Sequence, residues 1–134
     1  MTYLLDTNAC IDHLRHGIAS KITRKLAGMP VGSVVLCSVV VAELLYGAHR
    51  SAKKSITLGK VQSFASQFVS LPFDDRAAEE YGLIRALLEG MGTPIGPNDL
   101  MIASIAKANQ LTVVSRNIGE FSRVPGLTVE DWQV

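Results

Sequence analysis

Short apolar runs punctuate the chain at Tyr3–Leu5, Val34–Cys37, Val69–Leu71, Leu111–Val114 and Leu127–Val129. They are rich in Val and Leu and continuous rather than alternating, which is the pattern of strands buried on both faces of a parallel sheet. Between them apolar residues recur at helical spacing, as in Leu58, Val61, Ala65 and Phe68, or Ala77, Tyr81, Ile84 and Leu88. Each stretch is long enough to cross over a sheet. Asp74 is placed to cap the second of these helices and Gly90 to end it. Strands alternating with helices predict an α/β domain of the doubly wound kind, a parallel β-sheet flanked by helices. The Gly/Pro-rich segment Gly90 to Asn98 is expected to be a loop, with Asn98 capping a helix that runs to about Asn109 and buries Leu100, Ile102, Ala103 and Ala106.

At 134 residues and 48% hydrophobic, the sequence suits one domain over 1–134 that buries about two-thirds of its unfolded surface. The longest apolar stretch, Val34 to Ala42, is interrupted by Ser38 and followed by Glu43, well short of the roughly 20 residues of a membrane span. No signal-peptide pattern precedes Tyr3, so the mature chain is expected to begin at Met1. Cys10 and Cys37 lie in no metal-binding or redox spacing, so neither a zinc site nor a disulfide framework is indicated, and the cytoplasm is the expected compartment. The net charge of +1 hides an asymmetry: between Arg15 and Lys60 eight basic residues stand against a single acid, Glu43. Such a segment suits contact with a polyanion and ordinary solvated helix faces about equally.

In open parallel α/β sheets the ligand site lies beyond the carboxyl ends of the strands. Four acids fall there. Asp6 ends the first strand in Leu4-Leu5-Asp6-Thr7-Asn8, Glu43 lies in the first turns of the helix after the second, Asp99 opens the helix after the Gly/Pro loop, and Glu120 follows the fourth strand. Any one of them has an ordinary role at a helix N-terminus, as a cap or a complement to the dipole. Glu43 fits that role less well, because Val39 to Tyr46 is otherwise apolar and a buried carboxylate needs a cation or a hydrogen-bond network. Carboxylates within about 5 Å repel by roughly 3 kcal/mol per pair at an effective dielectric of about 20, a cost that a cation removes. Oxygen donors without thiolate or imidazole favour Mg²⁺ or Mn²⁺ over Zn²⁺, and such an ion suits phosphate substrates. A phosphoaspartyl mechanism of the haloacid dehalogenase kind needs Asp-x-Asp, whereas Asn8 holds the second position. His13 and His16 on one helix and His49 on another offer no convergent acid–base pair; they are expected at the surface, at most touching phosphate.

Four motifs follow one another in order: Leu4-Leu5-Asp6-Thr7-Asn8, then Ala42-Glu43-Leu44-Leu45-Tyr46-Gly47, then Gly96-Pro97-Asn98-Asp99-Leu100-Met101-Ile102-Ala103, then Ser115-Arg116-Asn117-Ile118-Gly119-Glu120-Phe121. Together they resemble the PIN domain of VapC toxins over nearly the whole chain, including the closing Pro125-Gly126-Leu127 and Glu130-Asp131-Trp132. The resemblance implies the toxin half of a type II toxin–antitoxin pair: a Mg²⁺-dependent endoribonuclease, with Mn²⁺ able to substitute, that attacks structured RNA such as tRNA. It implies metal ligands at Asp6 and Asp99, a third acid at Glu43, a VapB-type antitoxin that holds the enzyme inactive, and a homodimer. Many members carry an aspartate two residues after the Ser/Thr of the fourth motif, where this chain has Asn117. The fourth acid is therefore assigned to Glu120, with Asn117 and Ser115 as candidates to orient water or the other carboxylates. Setting the four site acids aside, 12 − 4 = 8 acidic residues face 13 basic ones, leaving +5, a balance that suits an RNA partner. The alternatives are a non-catalytic or regulatory PIN-like protein, in which the acids act only as caps, and a metal-dependent nuclease acting on DNA.

Overall fold

A computed structural model describes residues 2–134; Met1, the expected start of the mature chain, lies outside the described residues. Five strands, β1 (Tyr3–Leu5), β2 (Val34–Cys37), β3 (Ser70–Leu71), β4 (Thr112–Val114) and β5 (Val129–Glu130), pair in parallel in the order β3-β2-β1-β4-β5. The helices around them are α1 (Thr7–His16), α2 (Lys21–Ala27), α3 (Ser38–Arg50), α4 (Lys54–Ala65), α5 (Asp75–Gly90), α6 (Pro97–Ala108) and the short α7 (Ile118–Phe121). The chain builds outward from β1 through β2 to β3, then returns to place β4 on the other side of β1. The switch point of the sheet therefore falls between β1 and β4, and the crevice beyond their carboxyl ends is where such folds bind ligands.

The central strands are buried as their composition requires. Leu4, Leu5, Leu36, Cys37, Val113 and Val114 are sealed from solvent, and Val40 of α3, Ile102 and Ile105 of α6 and Phe121 of α7 join them in one core. Each such side chain contributes roughly 1.5–3 kcal/mol on burial. Helix starts follow local chemistry. The side chains of Asp6, Ser20 and Asp74 accept from the backbone N–H groups of Ala9, Thr23 and Ala77, capping α1, α2 and α5. Helix α1 ends at Gly17, whose φ of 50° suits glycine.

Three expectations shift. Helix α6 begins at Pro97, with Gly96 at the cap position and no side-chain cap; proline at the first helical position is pre-organised for the turn, so Asn98 is inside the helix and its amide is free for another task. The last strand is Val129–Glu130 rather than Leu127–Val129, because Gly126 turns at φ 78° and the pairing with β4 sets Val113 opposite Val129. Val69 is 63% exposed and precedes the edge strand instead of joining it. No helix among the described residues is long and apolar enough to cross a membrane, and Cys10 and Cys37 are both free thiols.

Candidate active site

Asp6 leaves β1 at the switch point, and its backbone N–H donates to Val114 O at 3.1 Å, tying it to the end of β4. Its carboxylate is 3% exposed. It caps α1 through Ala9 N–H at 2.8 Å and also lines the pocket, so the ordinary cap role and a place in the site coexist. Burial raises its pKa; Ser115 and Ala9 oppose the shift, and the nearby charges of Glu43 and Asp131 add to it.

Glu43 comes from the second turn of α3 and is half-buried, because Ser38, Ala42 and Tyr46 on the same helix are exposed. The sequence expectation of an all-buried run is corrected here: those residues face a crevice, not the core. The expected hydrogen-bond network is present. Thr7 donates to Glu43 Oε1 at 2.5 Å, and the Asn98 amide donates to Oε2 at 3.1 Å. Thr7 and Asn98 were legible only as members of motifs; as holders of the third acid they follow from the α1 and α6 N-termini meeting α3.

Asp99 lies in the first turn of α6. Its pKa is raised to about 6, first by desolvation and then by Glu120, Asp6 and Glu43, with the Asn117 amide opposing. The other three predicted acids thus act on one carboxyl. They do not stand equally close to the opening. A pocket of about 680 Å³ is lined by Asp6, Thr7, Asn8, Glu43, Asn98 and Asp99, with Ile11, Val39, Tyr46 and Met101 supplying apolar wall. Glu120 and Asn117 sit behind it. The Asn117 amide donates to Asp99 at 3.3 Å and to Glu120 Oε2 at 2.7 Å, while Glu120 Oε1 accepts from the backbone N–H of Gly96 at 2.5 Å. Those two hydrogen bonds lower the Glu120 pKa, and they engage both of its oxygens, so Glu120 braces the Gly/Pro loop against α7. Asp131, which follows β5, is an acid the sequence reading quoted without a role; the rule that singled out the others, position after a strand, would have found it.

Among the described residues no lysine, arginine or histidine forms an ion pair with Asp6, Glu43, Asp99 or Glu120. No three carboxylate, imidazole or thiolate side chains among them are gathered into a ready-made ligand cage. The histidines are apart from the site. His16 and His49 are exposed as expected, but His13 is half-buried, with Nδ1 2.7 Å from the Thr23 hydroxyl and its ring 4.9 Å from that of Phe64. The expectation that His13 is a surface residue is corrected, since packing between α1, α2 and α4 holds it. Arg15 and Lys60 from the basic stretch line a second cleft that shares Ile11 and Glu43 with the first.

The family profile described as PIN domain matches residues 3–127. The tRNA(fMet)-specific endonuclease VapC of Salmonella typhimurium is 37% identical over 132 residues, covering 98% of each chain. Ribonuclease VapC2 of Rickettsia felis is 37% identical, again over 98% of each. The crystal structure of DNA bound VapBC from Salmonella typhimurium superposes with a TM-score of 0.91 at 38% identity, covering 98% of both chains. With the profile matched over residues 3–127 and these relatives matched over nearly their whole length, the chain belongs to the PIN-domain family, among the VapC ribonucleases.

Proposed function

We propose that this chain is the toxin of a type II toxin–antitoxin pair and a Mg²⁺-dependent endoribonuclease that hydrolyses phosphodiester bonds of a structured RNA, tRNA being the favoured class. The observation that carries the reading is the meeting of Asp6, Glu43 and Asp99 around one open pocket at the sheet's switch point, with the Asp99 carboxyl raised to about 6 and no cationic side chain paired to any of them. A set of helix caps has no need to converge; a cation site does.

The donor set fits a hard divalent ion. All candidate ligands are oxygens, and Mg²⁺ is usually held by one or two carboxylates while keeping several waters, which two acids on one open pocket would allow. In this reading Asp6 and Asp99 hold the ion. A bound Mg²⁺ or Mn²⁺ supplies a polarised phosphoryl oxygen and a water of lowered pKa. Glu43, fixed by Thr7 and Asn98, is aimed into the pocket to accept a proton from an attacking water. Asn117 and Glu120 set the position of Asp99 from behind.

The substrate class rests on the Salmonella relative named for tRNA(fMet) and on the excess of basic over acidic residues outside the site. The partner is a VapB-type antitoxin, in keeping with the VapBC complexes among related structures; the toxin itself works as a homodimer, its domain is the whole of 1–134, and with tRNA as target it acts in the cytoplasm. The test is incubation of the purified chain with total tRNA, single-stranded DNA and duplex DNA, each with Mg²⁺, with Mn²⁺ and with EDTA. Cleavage of RNA alone, abolished by EDTA, is expected. Equal cleavage of DNA, or cleavage in EDTA, would refute the reading.

A further inference from the structure

Tyr46 is 63% exposed on a helix that otherwise turns its large apolar side chains inward. It stands three residues after Glu43, so the two side chains are neighbours on one helix face, about 5–6 Å apart at Cβ. Its ring lines the acid pocket together with Val39, Ile11 and Met101. Nothing in the core claims its hydroxyl. The partner is Arg50, one turn on, whose Nη1 donates to Tyr46 Oη at 3.3 Å and whose guanidinium carbon lies 5.4 Å from the ring centroid. An exposed aromatic ring is therefore held in place beside the carboxylates, with a cation against the ring and its hydroxyl.

We propose, resting on the ribonuclease reading, that Tyr46 is the stacking platform for the RNA base next to the bond being cut, and that Arg50 both fixes the ring and meets that nucleotide's phosphate. The chemistry matches the substrate. Single-stranded RNA is gripped by aromatic side chains that stack on unpaired bases, assisted by arginine at the backbone. Acids alone would repel the polyanion, so the pocket needs an attractive contact at its rim. The Tyr46–Arg50 pair supplies a π-face and a positive charge in one place, and because the ring is already ordered, little rotamer freedom is lost on binding. Its hydroxyl is engaged by Arg50 and by none of the acids, which assigns the ring to positioning and not to the chemical step.

The test compares the parent with Tyr46→Leu, Tyr46→Phe and Arg50→Gln, using a short RNA hairpin that carries 2-aminopurine in its loop. Fluorescence quenching on binding reports stacking, and steady-state cleavage gives kcat and KM separately. Tyr46→Leu should lose the quenching and raise KM roughly tenfold or more, the scale of one lost base–aromatic stack, with kcat nearly unchanged. Tyr46→Phe should keep the quenching and most of the affinity, since the ring remains. Arg50→Gln should lower the slope of log affinity against log salt by about 1, as for one lost phosphate contact. Equal quenching and KM in Tyr46→Leu and parent would overturn the proposal, as would a fall in kcat with KM unmoved. So would weaker binding of the antitoxin alone, which would assign the ring to the protein partner. If the parent itself leaves RNA intact with either metal, the ribonuclease reading falls and takes this one with it; cleavage by the parent with no effect of Tyr46→Leu sinks only the stacking.

Discussion

Replacing Asp99 by Asn keeps the shape of the side chain and an oxygen for the Asn117 amide, but deletes one charge from the crowded site. The folded carboxyl is raised from 3.8 to about 6, so between those values the folded protein holds a proton that the unfolded chain has released. The sign follows from linkage: this group's contribution to stability is fully present below about 4 and is lost as pH rises through about 6. At about 1.4 kcal/mol per tenfold change in proton affinity the full loss is roughly 3 kcal/mol; Asp99 is only half-buried, and solvent screening reduces this to about 1–2 kcal/mol. Asn escapes that loss. The attraction between an ionised carboxylate and the first turn of α6 is outweighed here, since the net shift is upward. Desolvation and repulsion therefore favour the amide at neutral pH, whereas in acid both side chains are uncharged and neither has the advantage. The metal-free variant is therefore expected to match the parent near pH 4 and to be more stable at pH 7.5, with a difference in Tm of about 2–4 °C for each kcal/mol.

Thermal melts of both proteins in EDTA from pH 4 to 8, repeated with Mn²⁺, provide the assay. Metal at about 100 times its Kd should stabilise the parent by roughly 2.7 kcal/mol and the variant far less, because the ion binds only the assembled carboxylates. The variant should also be unable to cleave RNA. A difference in Tm that stays constant across the pH range, or an equal response to Mn²⁺, would show that Asp99 is a helix-terminal charge and nothing more.

Hydrolysis by water, with no role for the 2′-hydroxyl, should leave 5′-phosphate and 3′-hydroxyl ends; mass spectrometry that finds 2′,3′-cyclic phosphates would rule this route out. Lys53 and Lys54 are both exposed at the start of α4, and neutralising them together should weaken RNA binding and flatten its salt dependence by about 2 in the log–log slope; an unchanged slope would assign them to solvent. A cognate antitoxin should raise the Tm in proportion to its affinity and concentration while blocking cleavage; a tight complex that still cuts RNA would exclude inhibition by covering the site.

The sheet was legible because buried parallel strands are written as continuous Val/Leu runs, and β1, β2 and β4 emerge within a residue of their expected bounds. The edges were less so. Val69 and Leu127 fall just outside β3 and β5, and pairing with the neighbouring strand, which no local pattern encodes, decides where those strands begin. The same limit applies to the site. Asp6, Glu43 and Asp99 could be chosen from their positions after strands and at helix starts, but the hydrogen bonds that hold Glu43 join residues 36 and 55 apart in sequence. His13 was misjudged because a histidine on a polar-looking helix face gives no sign that Phe64, on a different helix, packs against it.

Asn117 is where the chain departs from the pattern it resembles, and geometry gives the departure a physical meaning. Its amide nitrogen lies 3.3 Å from Asp99 and 2.7 Å from Glu120. An aspartate there would bring a third negative charge within hydrogen-bond reach of two others, a repulsion of roughly 5 kcal/mol per pair at an effective dielectric of about 20. Only a proton or a cation could relieve it. The amide instead donates to one carboxylate and, through its second hydrogen, to the other, so hydrogen bonds stand where an aspartate would add a charge. Glu120 is then free to anchor Gly96 and the loop that delivers Asp99. In the proposed assignment a cation would sit on the pocket side, where Asp6, Glu43 and Asp99 line one opening and no hydrogen bond from Asn117 reaches Asp6 or Glu43.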